Sequence, residues 1–85
     1  MEENVLRGVA LLDEKVPDWK LRVRGKSLDM ESPYKDILGW LFGSYHRGLG
    51  WLGLGSKDSV YYGFNPPEDS KQLYLDLTQL WKEQL

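Results

Sequence analysis

The sequence predicts a small all-α domain: a bundle of three main helices with one or two short helical turns between them, filling residues 1–85 as one unit. Three observations carry this. Apolar residues recur at one-sided helical spacing in three separate segments. Pro, Gly, Ser and Asp sit where those segments start and stop. Four Trp, five Tyr and two Phe are available to fill a core in a chain without cysteine. A chain of this size buries only roughly 60–65% of the surface its unfolded form exposes. Each aromatic can bury about 150–250 Å², so these rings are the expected centre of the core.

The first helix is expected from Glu3 to Lys15, with Val5, Leu6, Val9 and Leu12 on one side and Val16 a turn further. Gly8 falls on a neighbouring face, where it is about 1 kcal/mol worse than Ala. Pro17 ends this helix or begins the next. Two readings of the following stretch stand. Trp19, Leu21 and Val23 alternate with Lys20, Arg22 and Arg24, as a strand would. Pro17 followed by Asp18 equally suits the first turn of a short helix. Leu28 and Met30 then mark an extended strap with two residues to bury.

Ser32 can cap the next helix, with Pro33 at its first position. From there Tyr34, Leu38, Leu41, Tyr45, Leu49 and Leu52 recur at three- and four-residue steps, joined by Ile37. The spacing predicts one long central helix from about 33 to 53, straight or kinked near Gly48, packed against both the first and the last helix. Gly53 and Gly55 stop it. Ser56 or Asp58 then caps a single turn ending at Gly63, a short strand over 60–64 being the competing reading. Asn65 to Asp69 form a turn and an acidic helix start. The last helix, roughly Asp69 to Gln84, places Leu73, Leu77, Leu80 and Trp81 on one face, flanked by Tyr74 and Leu85. The alternative fold is α+β, with a short hairpin made from 19–24 and 60–64.

Residues 48–53, "GLGWLG", have the glycine spacing of a dinucleotide-binding turn. That turn needs a strand before it and an acidic residue about 20 positions on. Here the strongest helical pattern precedes Gly48, position 73 is Leu, and too little chain follows for a nucleotide-binding half. The hexapeptide reads as helix surface, and no cofactor is expected. Gly39, Gly43 and Gly50 then form a stripe without side chains that lets a neighbour approach. "LGWL" occurs at 38–41 and again at 49–52, so on a continuous helix Trp40 and Trp51 lie along the same side.

Other chemistry is thinly represented. Absence of Cys excludes thiol catalysis and thiolate zinc sites. "RGKS" at 24–27 lacks the upstream Gly of a phosphate-binding loop, because Lys20 stands there. His46 is the one histidine, and with Arg47 and Ser44 it lacks the nucleophile and orienting acid of a triad. The pairs Asp13/Glu14 and Glu68/Asp69 are adjacent and point apart on a helix. No catalytic or metal site is expected. Lys20, Arg22, Arg24 and Lys26 are the candidate anion contacts; Asp13, Glu14, Asp18 and Asp29 offset them, and the net charge is −2. The start, "MEENVL", shows no charged-then-apolar run, so no signal peptide and a cytoplasmic location are expected.

The segments "LDEKVPDW", "LDM", "ILGWLFGSY", "LGL" and "YGF" resemble those of a group of small uncharacterised proteins from phages of actinobacteria and from actinobacterial genomes. The group's pattern is an "LLDE" helix, a Pro-x-Trp element, an Leu-Asp-Met strap, an "LGQL(F/Y)G-x-Y" helix, an "LGL" and "GF" pair, and an "LT-x-x-W" helix. Leu12–Glu14, Pro17–Trp19, Leu28–Met30, Leu38–Tyr45, Leu52–Leu54, Gly63–Phe64 and Leu77–Trp81 follow it in order. Two departures stand out: Ser32, Pro33 and Tyr34 occupy the place where members often carry cysteines, and Trp40 replaces a polar Gln. The resemblance implies a mostly helical fold and a phage accessory setting, hence the host cytoplasm, and assigns no catalytic residue.

The function expected from this reading is binding to another protein, without catalysis or a small-molecule substrate. Trp40 and Trp51 are the candidate anchors, since Trp is enriched among binding hot spots, with His46 and Arg47 beside them. Two alternatives stand. One is a membrane-surface role for the Trp- and Gly-rich segment 37–54, with His46, Arg47 and Ser44 in its middle arguing against a spanning helix. The other is weak nucleic-acid binding through residues 20–26.

Overall fold

The computed structural model describes all 85 residues. Six α-helices and one 3-10 turn follow in order: α1 (Glu2–Lys15), α2 (Trp19–Arg22), the turn Gly25–Ser27, α3 (Ile37–Phe42), α4 (Tyr45–Leu52), α5 (Ser56–Tyr61) and α6 (Lys71–Lys82). No strand forms, so both hairpin segments are helical or turn: 19–22 is α2, and 56–61 is α5, which ends at a left-handed Gly63 (φ 72°). The all-α class holds. The extended strap also holds, with Leu28 and Met30 buried and the Met30 N–H donating to Thr78 Oγ1 at 2.9 Å.

The core follows from the periodic faces. Val5, Leu12 and Val16 bury from the α1 side, Leu77 and Trp81 from α6, and Ile37, Leu38, Leu41 and Leu49 from α3 and α4. Trp19 and Phe64 complete it around Trp81. The Phe64 ring stacks on the Trp81 indole at 5.7 Å, and Trp19 meets it edge-on at 5.8 Å. A buried indole N–H needs an acceptor. Trp81 Nε1 finds the Gly63 carbonyl at 2.6 Å, and Trp19 Nε1 finds Asp13 Oδ1 at 2.8 Å.

Two glycines decide how closely α1 meets its neighbours. A Cβ on Gly8 would lie 2.1 Å from the Tyr62 carbonyl oxygen and 2.9 Å from the Trp81 ring. Gly8 is therefore a crossing point, not a residue on a neighbouring face. Gly63 has a positive φ, and a Cβ there would meet the Val5 backbone at 2.7 Å. The end of α5 is thereby held on α1, where Arg7 Nε and Asn4 Nδ2 both donate to the Tyr61 carbonyl.

The long central helix does not exist. The chain breaks at Gly43–Ser44, not near Gly48. Gly43 takes a left-handed φ of 93° and closes α3, its N–H bonding the Gly39 carbonyl; Ser44 Oγ then accepts the Arg47 N–H and opens α4. The helix also starts later than expected. Ser32 Oγ accepts the Tyr34 and Lys35 N–H groups within a turn, and the Pro33 carbonyl is taken by the Tyr45 N–H at 2.7 Å. Asp36 is the cap, its Oδ1 accepting from Gly39 N at 2.6 Å. Tyr34 consequently lies in the turn and is exposed.

Folded back in this way, α3 and α4 pack chiefly on each other, while α1 lies against α5 and α6. Gly48 makes that hairpin possible, since its Cβ would sit 2.7 Å from Leu38 Cβ and 2.9 Å from Phe42. The expected stripe of Gly39, Gly43 and Gly50 is dispersed: Gly39 abuts the Tyr34 backbone, Gly43 is a cap, and Gly50 faces open space.

Candidate functional site

The hexapeptide 48–53 forms the end of α4 and its left-handed cap at Gly53 (φ 72°). On this short helix Arg47 and Trp51 are one turn apart, with His46 and Gly50 beside them, and all four are exposed. Trp51 is 60% exposed. Its indole lies against the Phe42 ring, centroids 5.0 Å apart at 33°. His46 stands edge-on to Tyr45 at 5.2 Å.

Trp40 does not join this face. With the helix broken it is half-buried against the core, and its Nε1 is buried without an acceptor from the chain. Of the expected anchors, the structure therefore gathers Trp51, Arg47 and His46 and separates Trp40. Phe42, which clamps Trp51, is the member that reading the sequence as one helix concealed.

The basic run is not a single face. Lys20 lies over the Trp19 ring at 5.7 Å, and Arg22 is committed inward, Nη2 donating to the Leu41 carbonyl at 2.7 Å and Nη1 facing Asp18 at 3.8 Å. Arg24 and Lys26 are exposed on the following extended residues and 3-10 turn. The alternating strand that would have aligned all four is absent because 19–22 is helical.

The molecule also has a cleft that the sequence does not announce. A cleft of about 260 Å³ is lined by Met30, Glu31, Ser32, Pro33, Asp36, Tyr45, Asn65 and Tyr74. The turn 31–36 forms one wall, the first residue of α4 the second, and the 65 turn with α6 the third. Asp36 is 1% exposed and its carboxyl accepts from one other residue, Gly39, leaving most of its acceptor capacity unused by the chain. Burial pushes its pKa up to about 7, against the opposing pull of the cap hydrogen bond. Tyr45 shares a short hydrogen bond with buried Ser59, and the Tyr74 hydroxyl reaches Asn65 Oδ1 at 3.4 Å. Burial, with Asp69, Glu31 and Tyr45 adding to it, raises the Tyr74 phenol. The cap spacing of Asp36 before Gly39 was the one signal of this site in the sequence; assigning the cap to Ser32 hid it.

No group of three or more His, Asp or Glu side chains is placed to hold a metal ion, and no helix is long and apolar enough to cross a membrane. No family model, curated protein or solved structure matches the chain.

Proposed function

We propose that the chain acts by binding another protein, with Trp51 as the anchor and Phe42, Arg47 and His46 around it. The observation that carries this is an indole packed on an aromatic neighbour while the residue stays 60% exposed. An exposed Trp that already packs on a neighbouring ring brings a large apolar area to an interface. Gly50 beside it faces open space, with nothing within 4 Å of a Cβ there, so no side chain crowds the indole from that position. The exposed Arg47 a turn earlier favours a partner surface with carboxylates at the edge of an apolar pocket. The resemblance to small actinobacterial phage proteins supplies the setting, an accessory protein in the host cytoplasm.

The two alternatives have less behind them. Ile37, Leu38, Leu41 and Leu49 of the 37–54 segment are in the core, which leaves that segment little apolar surface for a lipid interface. Arg22 spends one of its guanidinium N–H groups on the Leu41 carbonyl, and the four cations do not share one face.

The test is capture from host lysate with wild type and with Trp51→Ala. The substitution removes one exposed aromatic pair, worth about 0.5–1.5 kcal/mol, so the variant stays folded, which circular dichroism checks. A specific partner lost with Trp51→Ala supports the reading. A partner retained by the folded variant, or none captured by wild type, overturns it.

A further inference from the structure

The cleft between the 30–36 turn, the start of α4 and α6 plays no part in the Trp51 face. Its lining contains two carboxyl groups, Glu31 and Asp36, two phenols, Tyr45 and Tyr74, and the Asn65 amide, and no cationic side chain. An anion entering it meets like charge. A cation meets in the lining the buried Asp36, whose carboxyl has unused acceptor capacity, together with hydroxyl and amide oxygens and aromatic rings that attract positive charge. The absence of any three-carboxylate or imidazole cluster disfavours a metal ion and points to an organic cation. The volume, about 260 Å³, is just below the range of drug-sized ligand sites. It accommodates a short alkyl chain with a charged head. Met30 and Pro33 offer such a chain apolar contact.

We propose that this cleft is a binding site for a small organic cation of the primary alkylammonium class, its head on the Asp36 carboxylate with Glu31 at the rim and Tyr45, Tyr74 and Asn65 as further oxygen acceptors. A positive group stands beside the rim: Lys71 Nζ is 3.8 Å from Glu31 Oε1. Both side chains of that pair are largely exposed, so water screens it and it does not neutralise the site. The ammonium could belong to a free amine or to a lysine side chain of another protein, and the chemistry is the same.

The experiment is an amide-resolved NMR titration of the full chain, following the Gly39 N–H that bonds Asp36 and the Asn65 side-chain NH₂. The probes are butylammonium chloride, Nα-acetyl-lysine methylamide and, as the neutral isostere, butyramide, with sodium chloride as the ionic-strength control. Saturable shifts at Gly39 and Asn65 in the millimolar range with the cations, and none with butyramide, are expected. Asp36→Asn keeps an oxygen for the cap and removes the charge; it is expected to weaken binding at least tenfold. Glu31→Gln, at an exposed position, is expected to weaken it about threefold, and it keeps the question answerable should the first variant fail to fold. Ionisation of Asp36, near pH 7, makes butylammonium binding about tenfold weaker at pH 6 than at pH 8. The comparison with Asp36→Asn isolates this carboxyl from every other group, His46 on the separate Trp51 face included. The other titratable groups at the cleft are Glu31, Tyr45 and Tyr74 in its lining, with Asp69 and Lys71 beside it. Preference for butylammonium identifies a free amine as the source, and preference for the lysine derivative a side chain. Equal response to butyramide, undiminished binding in folded Asp36→Asn, or no saturable shift with either cation overturns the proposal. None of these outcomes depends on Trp51.

Discussion

Asp36 carries a stability signal opposite in sign to that of an ordinary surface carboxylate. In the unfolded chain it titrates near 3.8, and in the fold burial raises it to about 7. Between these values the unfolded chain releases the proton while the folded one keeps it. The stabilising contribution is therefore complete below pH 3.8 and is lost as pH rises through about 7. The difference, 7 minus 3.8 or roughly 3 pH units at about 1.36 kcal/mol each, corresponds to about 4 kcal/mol. Relaxation of the surroundings around the ionised carboxyl lowers this, so 4 is the upper bound. For a domain whose total stability is on the order of 5–10 kcal/mol, even half is large. Asp36→Asn keeps an acceptor for the Gly39 N–H and cannot ionise. It should match wild type near pH 4 and become more stable by about 2–4 kcal/mol at pH 8. Asp36→Ala also removes the ionisation but forfeits the cap, so it should fall about 0.5–2 kcal/mol below Asp36→Asn at every pH. Urea unfolding followed by circular dichroism from pH 4 to 8 gives all three curves. Subtracting the Asp36→Asn curve from wild type isolates this carboxyl from the others. Parallel curves, or a wild type that gains on the variant with rising pH, would refute the reasoning.

The other predictions concern glycines and the exposed indole. Gly48→Ala forces a Cβ to 2.7 Å from Leu38, an overpacking of about 1–3 kcal/mol that outweighs the helix-propensity gain of about 1 kcal/mol. Gly50→Ala, in the same helix with nothing near it, should instead raise stability by up to about 1 kcal/mol. Thermal melts of the two variants should move in opposite directions, and equal shifts would contradict the packing described. Gly8→Ala meets a backbone carbonyl at 2.1 Å and should be destabilised by about 3 kcal/mol or more, at the upper end of overpacking effects. Trp51 is the exposed one of the four Trp residues. Iodide should therefore quench the wild-type emission appreciably and the Trp51→Phe emission little; similar quenching of both would place another indole at the surface.

The sequence carried the outer helices almost to their ends. Val5, Leu12 and Val16 and, at the other terminus, Leu77 and Trp81 announce their faces by spacing alone and are buried, whereas Leu6, expected on the same face as Val5, is 49% exposed. Short-range chemistry was also legible in Gly53 and Gly63, both left-handed as a stop requires. The central segment was misread for a definite reason. Leu38, Leu41 and Leu49 keep apolar spacing through Gly43–Ser44, so periodicity records no interruption. The dipeptide itself, a left-handed glycine followed by a capping serine, was the available signal.

What a local pattern can specify is which residues are helical and which face is apolar, because hydrogen-bond periodicity and capping act within a few residues. That much the chain determined by itself, together with its all-α class. Whether Gly8 is merely a weak helix former or a seat for the Tyr62 carbonyl depended on α5 arriving there. Whether Asp36 is an ordinary cap or a buried acid depended on a cleft assembled from residues 30–36, 45, 65 and 74. Desolvation is set by the neighbours that exclude water, and those neighbours come from distant parts of the chain. Only the tertiary structure could decide them.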